Sequence, residues 1–401
     1  MSAVLDPMVL APDKRTRALV AILLTAFLAG IAMGSAMPMV SMAMEIRGQS
    51  SVAIGWVVAA APIALLSTSP FIGPIVNRFG LLGSMVGGAV ITMTAFFIMP
   101  AMFGPVPWFI LRCISGIGIA VLWILGETWI NTVATTANRG KVIMAYTMLL
   151  TLGFLVGPAL AQVFGVESWL TFYVAGALIG LSVLPLWIAR DAAPPLPESP
   201  SNAFTSSFRA APLIMSVALI AGFTDAAQIS FLPVYAVRMG LDPNAALTML
   251  MVLVGGSCGV LLVTGWLADR IDRRSLLLIC LIIACAMGGL LPFVLNDPVL
   301  VWPVLAIWGG TTFSLYSVAL VILGDRFSPA LLAGANAAFV AMFEVGSVGG
   351  PVVIGYAIDL FGPNGMPAVL VAVCIPLFVL AYIRRGKHSE DDVPAKKETA
   401  P

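Results

Sequence analysis

Twelve apolar stretches of membrane-spanning length leave this chain one fold class. They run over residues 17–42, 51–74, 81–103, 105–131, 140–164, 168–190, 212–237, 244–268, 274–296, 298–324, 330–357 and 364–384. Roughly 20 helical residues cross a hydrocarbon core. Lipid offers the backbone no hydrogen-bond partner, so an apolar run of that length pairs its own peptide groups as a helix. The expectation is an all-α integral membrane protein with 12 transmembrane helices. Composition enters at one point only: 10% of residues are charged, against about 25% in soluble domains. The first stretch is too long for a signal-peptide core and has no convincing cleavage site, so it is expected to stay as an anchor.

Lysine and arginine placement orients the chain. With the N-terminus cytoplasmic, seventeen of the 20 basic residues fall in inside segments and only Arg47 and Arg238 fall outside. The remaining one, Arg112, lies within the fourth stretch. Cytoplasmic loops carry the excess of Lys and Arg, so both termini are expected in the cytoplasm. Trp108, Trp169 and Trp302 near outer ends, and Trp129, Trp187 and Trp266 near inner ends, are expected to form aromatic belts at the two interfaces.

The segment 191–211, rich in Pro and Ser, divides six stretches from six. It reads as a cytoplasmic linker between an N-terminal half, 17–190, and a C-terminal half, 212–384. A short cytoplasmic segment, 1–16, precedes them, and a charged tail, 385–401, expected to be disordered, follows. The halves repeat. GPIVNRFG after the second stretch returns as GWLADRIDRR after the eighth, 192 residues on. Gly153, Gly157 and Pro158 of the fifth return as Gly346, Gly350 and Pro351 of the eleventh, 193 on. Pro38 and Pro233 are 195 apart. Matches at nearly one period describe a duplicated six-helix unit. Transporters with two such halves hold substrate near the membrane midplane.

An ionised side chain inside a membrane is costly and marks a functional site by default. Arg112, Glu127, Asp225 and Glu344 are the four within the stretches. Arg112, Asp225 and Glu344 fall at a similar depth, about a third of the way in from the outside at a rise of about 1.5 Å per residue. Glu127 is about 22 Å further along its helix than Arg112, at the cytoplasmic end. Gln228 is one turn from Asp225 on the same helix face. Gly116 and Gly118, between the two charges of the fourth stretch, permit close helix approach. Met33, Met37, Met39, Met42 and Met44 form either apolar filler or an adaptable substrate wall.

These residues resemble the major facilitator superfamily over nearly the whole chain. Gly265, Asp269, Arg270, Arg273 and Arg274 reproduce its loop signature. In the first half Gly73, Arg78 and Gly80 remain, with Asn77 in place of the acid. Arg112, Gly116, Gly118 and Ala120 match its fourth-helix pattern, and Gly153, Gly157 and Pro158 its antiporter pattern, with Ala161 where a further glycine is common. Gly116, Gly118, Ala120, Trp123 and Glu127, with Asn138 to Lys141, Ala145 and Tyr146, are similar to the YcaD-like branch of bacterial putative transporters. The resemblance implies that the fourth and seventh helices line a central pathway; Arg112 is expected to face it and Asp225 to answer it across the pathway, either coupling proton movement to alternating access or as a static pair that pins two helices. It implies inner-gate latches Glu127–Arg78 and Asp325–Arg270, with Asp269 acting alongside, and Glu344 as a second proton site or a helix-pairing residue.

The function expected is secondary active transport of small molecules in a bacterial cytoplasmic membrane by alternating access, coupled to protons and directed outward. Proton-coupled uptake, or a receptor that kept the fold, are the alternatives. No nucleophile–base set, metal-ligand spacing or phosphate-cradling loop is visible. An enzyme, a cofactor, a metal, a disulfide framework and a nucleic-acid partner are therefore not expected, and the chain is expected to work as a monomer. Methionine and aromatic residues, with few amides and hydroxyls, favour a lipophilic or cationic substrate over a sugar.

Overall fold

The computed structural model describes residues 12–134, 139–192, 211–268, 270–327 and 329–385. Among them every regular element is helical. In chain order these are α1 (Pro12–Ile46), α2 (Ser51–Thr68), α3 (Ile72–Ile98), α4 (Pro105–Val133), α5 (Arg139–Phe164), α6 (Leu170–Leu181) and α7 (Val183–Ile188). The second set is α8 (Pro212–Arg238), α9 (Pro243–Ala268), α10 (Arg273–Val294), α11 (Val301–Arg326), α12 (Pro329–Phe361) and α13 (Gly365–Arg385). Ten segments are long and apolar enough to cross a membrane; one of them, Ser51–Met102, joins α2 and α3, and Gly365–Val379 of α13 is a shorter apolar helix. The twelve-helix expectation agrees with this set, the sixth span being divided into α6 and α7 at Ser182.

Gly80 makes the turn between the second and third spans. Its φ of 72° lies in the left-handed region, where a Cβ is disfavoured. Helical backbone runs on to Phe79, so the GPIVNRF stretch extends a helix rather than forming a loop. In the second half the chain turns at 270–272 instead, and the Asp272 carboxylate accepts from the Ser275 amide at 2.8 Å to cap α10.

The chain forms two compact units, 1–49 with 56–198, and 50–55 with 199–401. In the first, α1 packs along α5 and α3 along α4. Glycines set the α1–α5 distance: Gly153 abuts the backbone at Phe27 and Ile31, and Gly157 that at Gly34 and Ser35, leaving no room for a Cβ. Gly116 and Gly118 do the same for α4, against Ala61 of α2 and Gly88 of α3. In the second unit, α8 packs along α12 and α9 along α11. Gly222 abuts Phe343; Gly346 abuts Leu219 and Phe223; Gly350 abuts Phe223. Residues 50–55 belong to this unit because the Asp359 carboxylate accepts from the Ser51 and Val52 amides, each at 3.0 Å, while Arg238 lies 3.7 Å from the same carboxylate.

The aromatic-belt expectation needs correction at two positions. Trp108 and Trp129 are fully buried in protein. The Trp108 ring packs among Phe103, Trp169 and Phe172, and its indole N–H donates to Met99 O at 2.8 Å. Proximity to a helix end gave the sequence no means of telling a lipid-facing indole from an inward-facing one. Trp187 and Trp266 are exposed, as interfacial residues are.

Candidate functional site

Among the described residues, both units place polar or ionisable side chains within an apolar bundle. In the first unit a cavity opens between α1, α4, α5 and α6, lined by Met33, Ile119, Trp123, Tyr146 and Leu150 among others. Of the five methionines of α1, Met33 lines it, whereas Met39, Met42 and Met44 are core residues. Glu127 stands one turn beyond Trp123 on α4, and its Oε1 accepts from the Trp123 indole at 2.8 Å. Next to Glu127 on α4, Gly126 lets the Tyr146 hydroxyl of α5 come close: a Cβ there would lie 3.3 Å from it.

Arg112 is 2% exposed, on the stretch of α4 before the glycines. Its Nε has no hydrogen-bond partner. Among the described residues, no carboxylate of its own unit forms an ion pair with it. Desolvating a guanidinium without an anion is expensive in any bundle, so the position is not explained by packing alone.

In the second unit, Asp225 and Gln228 occupy successive turns of α8, and Glu344 lies on α12 beside Phe343, where the two helices come closest through Gly222. Asp225 on α8 is one turn from Gly222, and Glu344 follows the Phe343 that Gly222 abuts, so the two acids lie on either side of one helix crossing. Asp225 Oδ1 is buried without a hydrogen-bond partner. Gln228 is 1% exposed; its Oε1 lies 3.1 Å from Thr312 Oγ1, and its Nε2 has no partner. Thr312 Oγ1 is also 2.7 Å from Trp308 O. A hydroxyl has a single hydrogen, and the carbonyl is the nearer acceptor. With the amide turned over, Gln228 donates to the Thr312 oxygen and its own carbonyl oxygen becomes the open atom. In either orientation the amide keeps one polar atom unused. Tyr316 of α11 packs against Phe343 at 5.1 Å between ring centroids and closes the apolar wall next to Glu344.

The residues expected at the inner gates are placed as follows. Arg78 lies 5.6 Å from the Phe79 ring, on the helical extension before Gly80. The Arg270 guanidinium stacks over Trp266 at 3.7 Å. Asp269 and the side chain of Asp325 lie outside the described residues. The sequence marked Glu127 as an ionisable group at the end of α4. It did not join Glu127 to a cavity, although the four-residue spacing from Trp123 was the available signal.

Comparison with known proteins places this arrangement. The chain is 27% identical over 341 residues to the uncharacterized MFS-type transporter YfkF of Bacillus subtilis, covering 83% of this chain and 87% of that one. It is 24% identical over 329 residues to the uncharacterized MFS-type transporter YcaD of Escherichia fergusonii, covering 80% and 83%. Solved structures share the fold: the nucleoside transporter NupG, with a TM-score of 0.75 at 17% identity over 93% of this chain and 100% of that one, and a D-xylose-proton symporter, with 0.69 at 18% over 93% and 98%. A family model described as the Major Facilitator Superfamily matches residues 22–321. With glycine-zipped helix pairs in each unit, charged residues inside apolar helices and this match over most of its length, the chain belongs to the Major Facilitator Superfamily, whose fold is that of secondary transporters.

Proposed function

We propose that this protein exports small molecules from a bacterial cytoplasm in exchange for protons, with Asp225 and Glu344 as the proton-carrying pair. One observation carries the reading: two carboxylates sit on α8 and α12 where these helices cross at Gly222 and Phe343, one of them with a buried oxygen that has no hydrogen-bond partner, near an amide with an unused polar atom. Two like charges near one another in a low-dielectric bundle repel, so taking up or giving off a proton changes their interaction. Gln228, one turn from Asp225 on α8, keeps a polar atom without a partner, as does the Asp225 carboxylate. Gain and loss of the proton therefore changes the charge and the hydrogen bonding of α8 and α12 together. Their contact is made through glycines and leaves no slack to absorb such a change locally. Arg112, with no anion paired to it among the described residues of its own unit, is assigned as a fixed positive charge within the first unit. Outward direction is favoured by Gly153, Gly157 and Pro158, the pattern that the family associates with proton-exchanging exporters. Both termini are assigned to the cytoplasm from the distribution of Lys and Arg.

The test is proton movement in proteoliposomes carrying a pH-sensitive dye, challenged with pools of lipophilic cations, organic acids and sugars. A pool-dependent proton flux that disappears in Asp225→Asn and in Glu344→Gln is expected, and its sign reports direction. Substrate movement without protons, unchanged in both variants, would show that the pair is structural.

A further inference from the structure

We infer that Asp359 clasps the first turn of α2 to α12 while the end of the bundle assigned to the outside is closed, and that opening of this end releases the turn and passes the acid to Arg238. The inference goes beyond the proton pair and needs only the movement of one unit against the other by which two-unit transporters work. The first amides of a helix have no partner within it. In α2 the Ala53 amide donates to Ser50 Oγ at 3.2 Å and the Ile54 amide to Ser50 O at 3.1 Å. The Ser51 and Val52 amides donate to the two oxygens of Asp359, each at 3.0 Å, across 308 and 307 positions of chain. Two glycines bring the backbones together: Gly55 abuts Pro351 O, and Gly355 abuts Ser51 O, with no room for a Cβ at either. Pro351, Gly355 and Asp359 follow at four-residue steps and so form one stripe along α12.

The place of the clasp makes it a switch. Residues 50–55 group with the second unit and α2 from Trp56 onward with the first, although Ser51–Thr68 is one continuous helix. A movement of one unit against the other therefore either bends α2 after Gly55 or undoes the clasp. Bending takes hydrogen bonds from the helix itself. Undoing the clasp gives up two bonds from main-chain amides to a carboxylate, which water replaces at modest net cost. The closed form also leaves the Ser51 hydroxyl buried without a hydrogen-bond partner, a cost that contact with water relieves. Arg238, at the end of α8, lies 3.7 Å from Asp359 Oδ1 and belongs to the same unit as the acid. It stays beside the carboxylate when α2 leaves and keeps that charge compensated.

The experiment is amide hydrogen exchange, read by mass spectrometry on the purified full-length chain in detergent. Two windows are compared: residues 51–55 at the clasp, and residues 72–80, the helical extension at the end assigned to the inside. In Asp359→Ala the 51–55 amides are expected to exchange at least about tenfold faster than in the wild type, the scale of losing hydrogen bonds to a charged acceptor. The 72–80 amides are expected to exchange more slowly, because opening one end closes the other. Asp359→Glu keeps the carboxylate and is expected to restore most of the wild-type pattern. Gly355→Val reaches the open state without touching the acid, since its side chain takes the place of the Ser51 carbonyl; it is expected to move both windows in the same directions as Asp359→Ala. If Gly355→Val does not fold, Asp359→Asn, which keeps one acceptor and loses the charge, is expected to give smaller shifts of the same signs. Unchanged exchange at 51–55 in Asp359→Ala would overturn the clasp. Faster exchange at 51–55 with 72–80 unchanged, or faster as well, would show a cap that serves the fold alone and would overturn the release. The proton pair is tested separately by Asp225→Asn and Glu344→Gln, so either reading can fail without the other.

Discussion

Where α1 crosses α5, Gly30 abuts the backbone at Leu150, and Gly153 that at Phe27 and Ile31. Where α8 crosses α12, Gly222 abuts Phe343, and Gly346 abuts Leu219 and Phe223. Every one of these second-unit positions lies 192 or 193 residues after its first-unit counterpart. The side chains that flank the two crossings differ in kind. The first unit has Met33 and Thr151 where the second has Asp225 and Glu344. Met33 lines an apolar cavity, and the Thr151 hydroxyl is satisfied within its own helix at 2.9 Å from Thr147 O. Asp225 and Glu344 flank the second crossing, with a buried Asp225 oxygen and a Gln228 atom left without partners. One backbone plan has thus been given an apolar wall in one copy and a pair of acids in the other. The glycines answer to the packing, and the flanking residues answer to the chemistry.

The largest expected effect comes from attacking what the crossings share. Gly153→Val and Gly346→Val each place a side chain inside a neighbouring backbone, which cannot move aside as a side chain can. A loss of about 3 kcal/mol or more is expected for either, read as failure to elute as a monodisperse peak and as a collapsed thermal midpoint. The comparison breaks if one variant folds normally and the other does not, because the crossings would then not be equivalent.

Exchanging the flanking chemistry comes next. Met33→Asp puts an unpaired carboxylate in the first unit with no amide or second acid beside it, and a cost of about 3 kcal/mol is expected. Asp225→Met imports the first unit's residue into the second. It removes a buried oxygen without a hydrogen-bond partner, so a gain in stability of about 1 kcal/mol is expected, together with proton flux at the leak of protein-free liposomes. A stability loss in Asp225→Met would show that the acid has a structural partner.

The division between packing and chemistry also explains what could be read in advance. Span number, the break at 191–211 and the repeat are properties of composition and period, and they stand in the sequence. Gly153 and Gly346 were visible because a proline follows each motif. Gly30 and Gly222, on the other side of the same crossings, carry no such flag, and a glycine inside an apolar helix does not say what it touches. Asp225 and Glu344 were visible as charges at one depth. That they belong to one cluster with Gln228 and Thr312 depends on how α8, α11 and α12 pack, and no local spacing encodes that. The cavity that joins Met33, Trp123 and Tyr146 draws on three helices and was hidden for the same reason.

A smaller effect sharpens the reading of the second unit. Gln228→Leu deletes an amide that is buried and only half used. Replacing a partly unsatisfied polar group with an apolar one of similar shape is near neutral or favourable, so stability is expected to stay level or rise by about 1 kcal/mol. If proton flux falls at the same time, the amide serves transport and not the fold. A clear loss of stability would mean that its bond to Thr312 holds α8 to α11 and that the amide is a structural residue.

The smallest effects belong to the two loops that the repeat relates. The second-half turn is tied down twice, by the Asp272 cap on α10 at 2.8 Å and by Arg270 stacked over Trp266 at 3.7 Å. The first-half counterpart turns on Gly80 alone, with Arg78 exposed and 5.6 Å from Phe79. Losing an N-cap costs about 1 kcal/mol, whereas an exposed cation near a ring contributes about 0.5 kcal/mol or less. Asp272→Ala is therefore expected to lower the thermal midpoint measurably and Arg78→Ala hardly at all. Restoring the missing acid with Asn77→Asp tests whether the asymmetry is chemical or geometric. Asn77 is exposed on a helical extension, with no helix N-terminus of its own to cap, so a change of less than about 0.5 kcal/mol is expected. A stabilisation as large as the Asp272 cap would mean that the first-half loop has an acid-binding position after all, which Asn77 leaves empty.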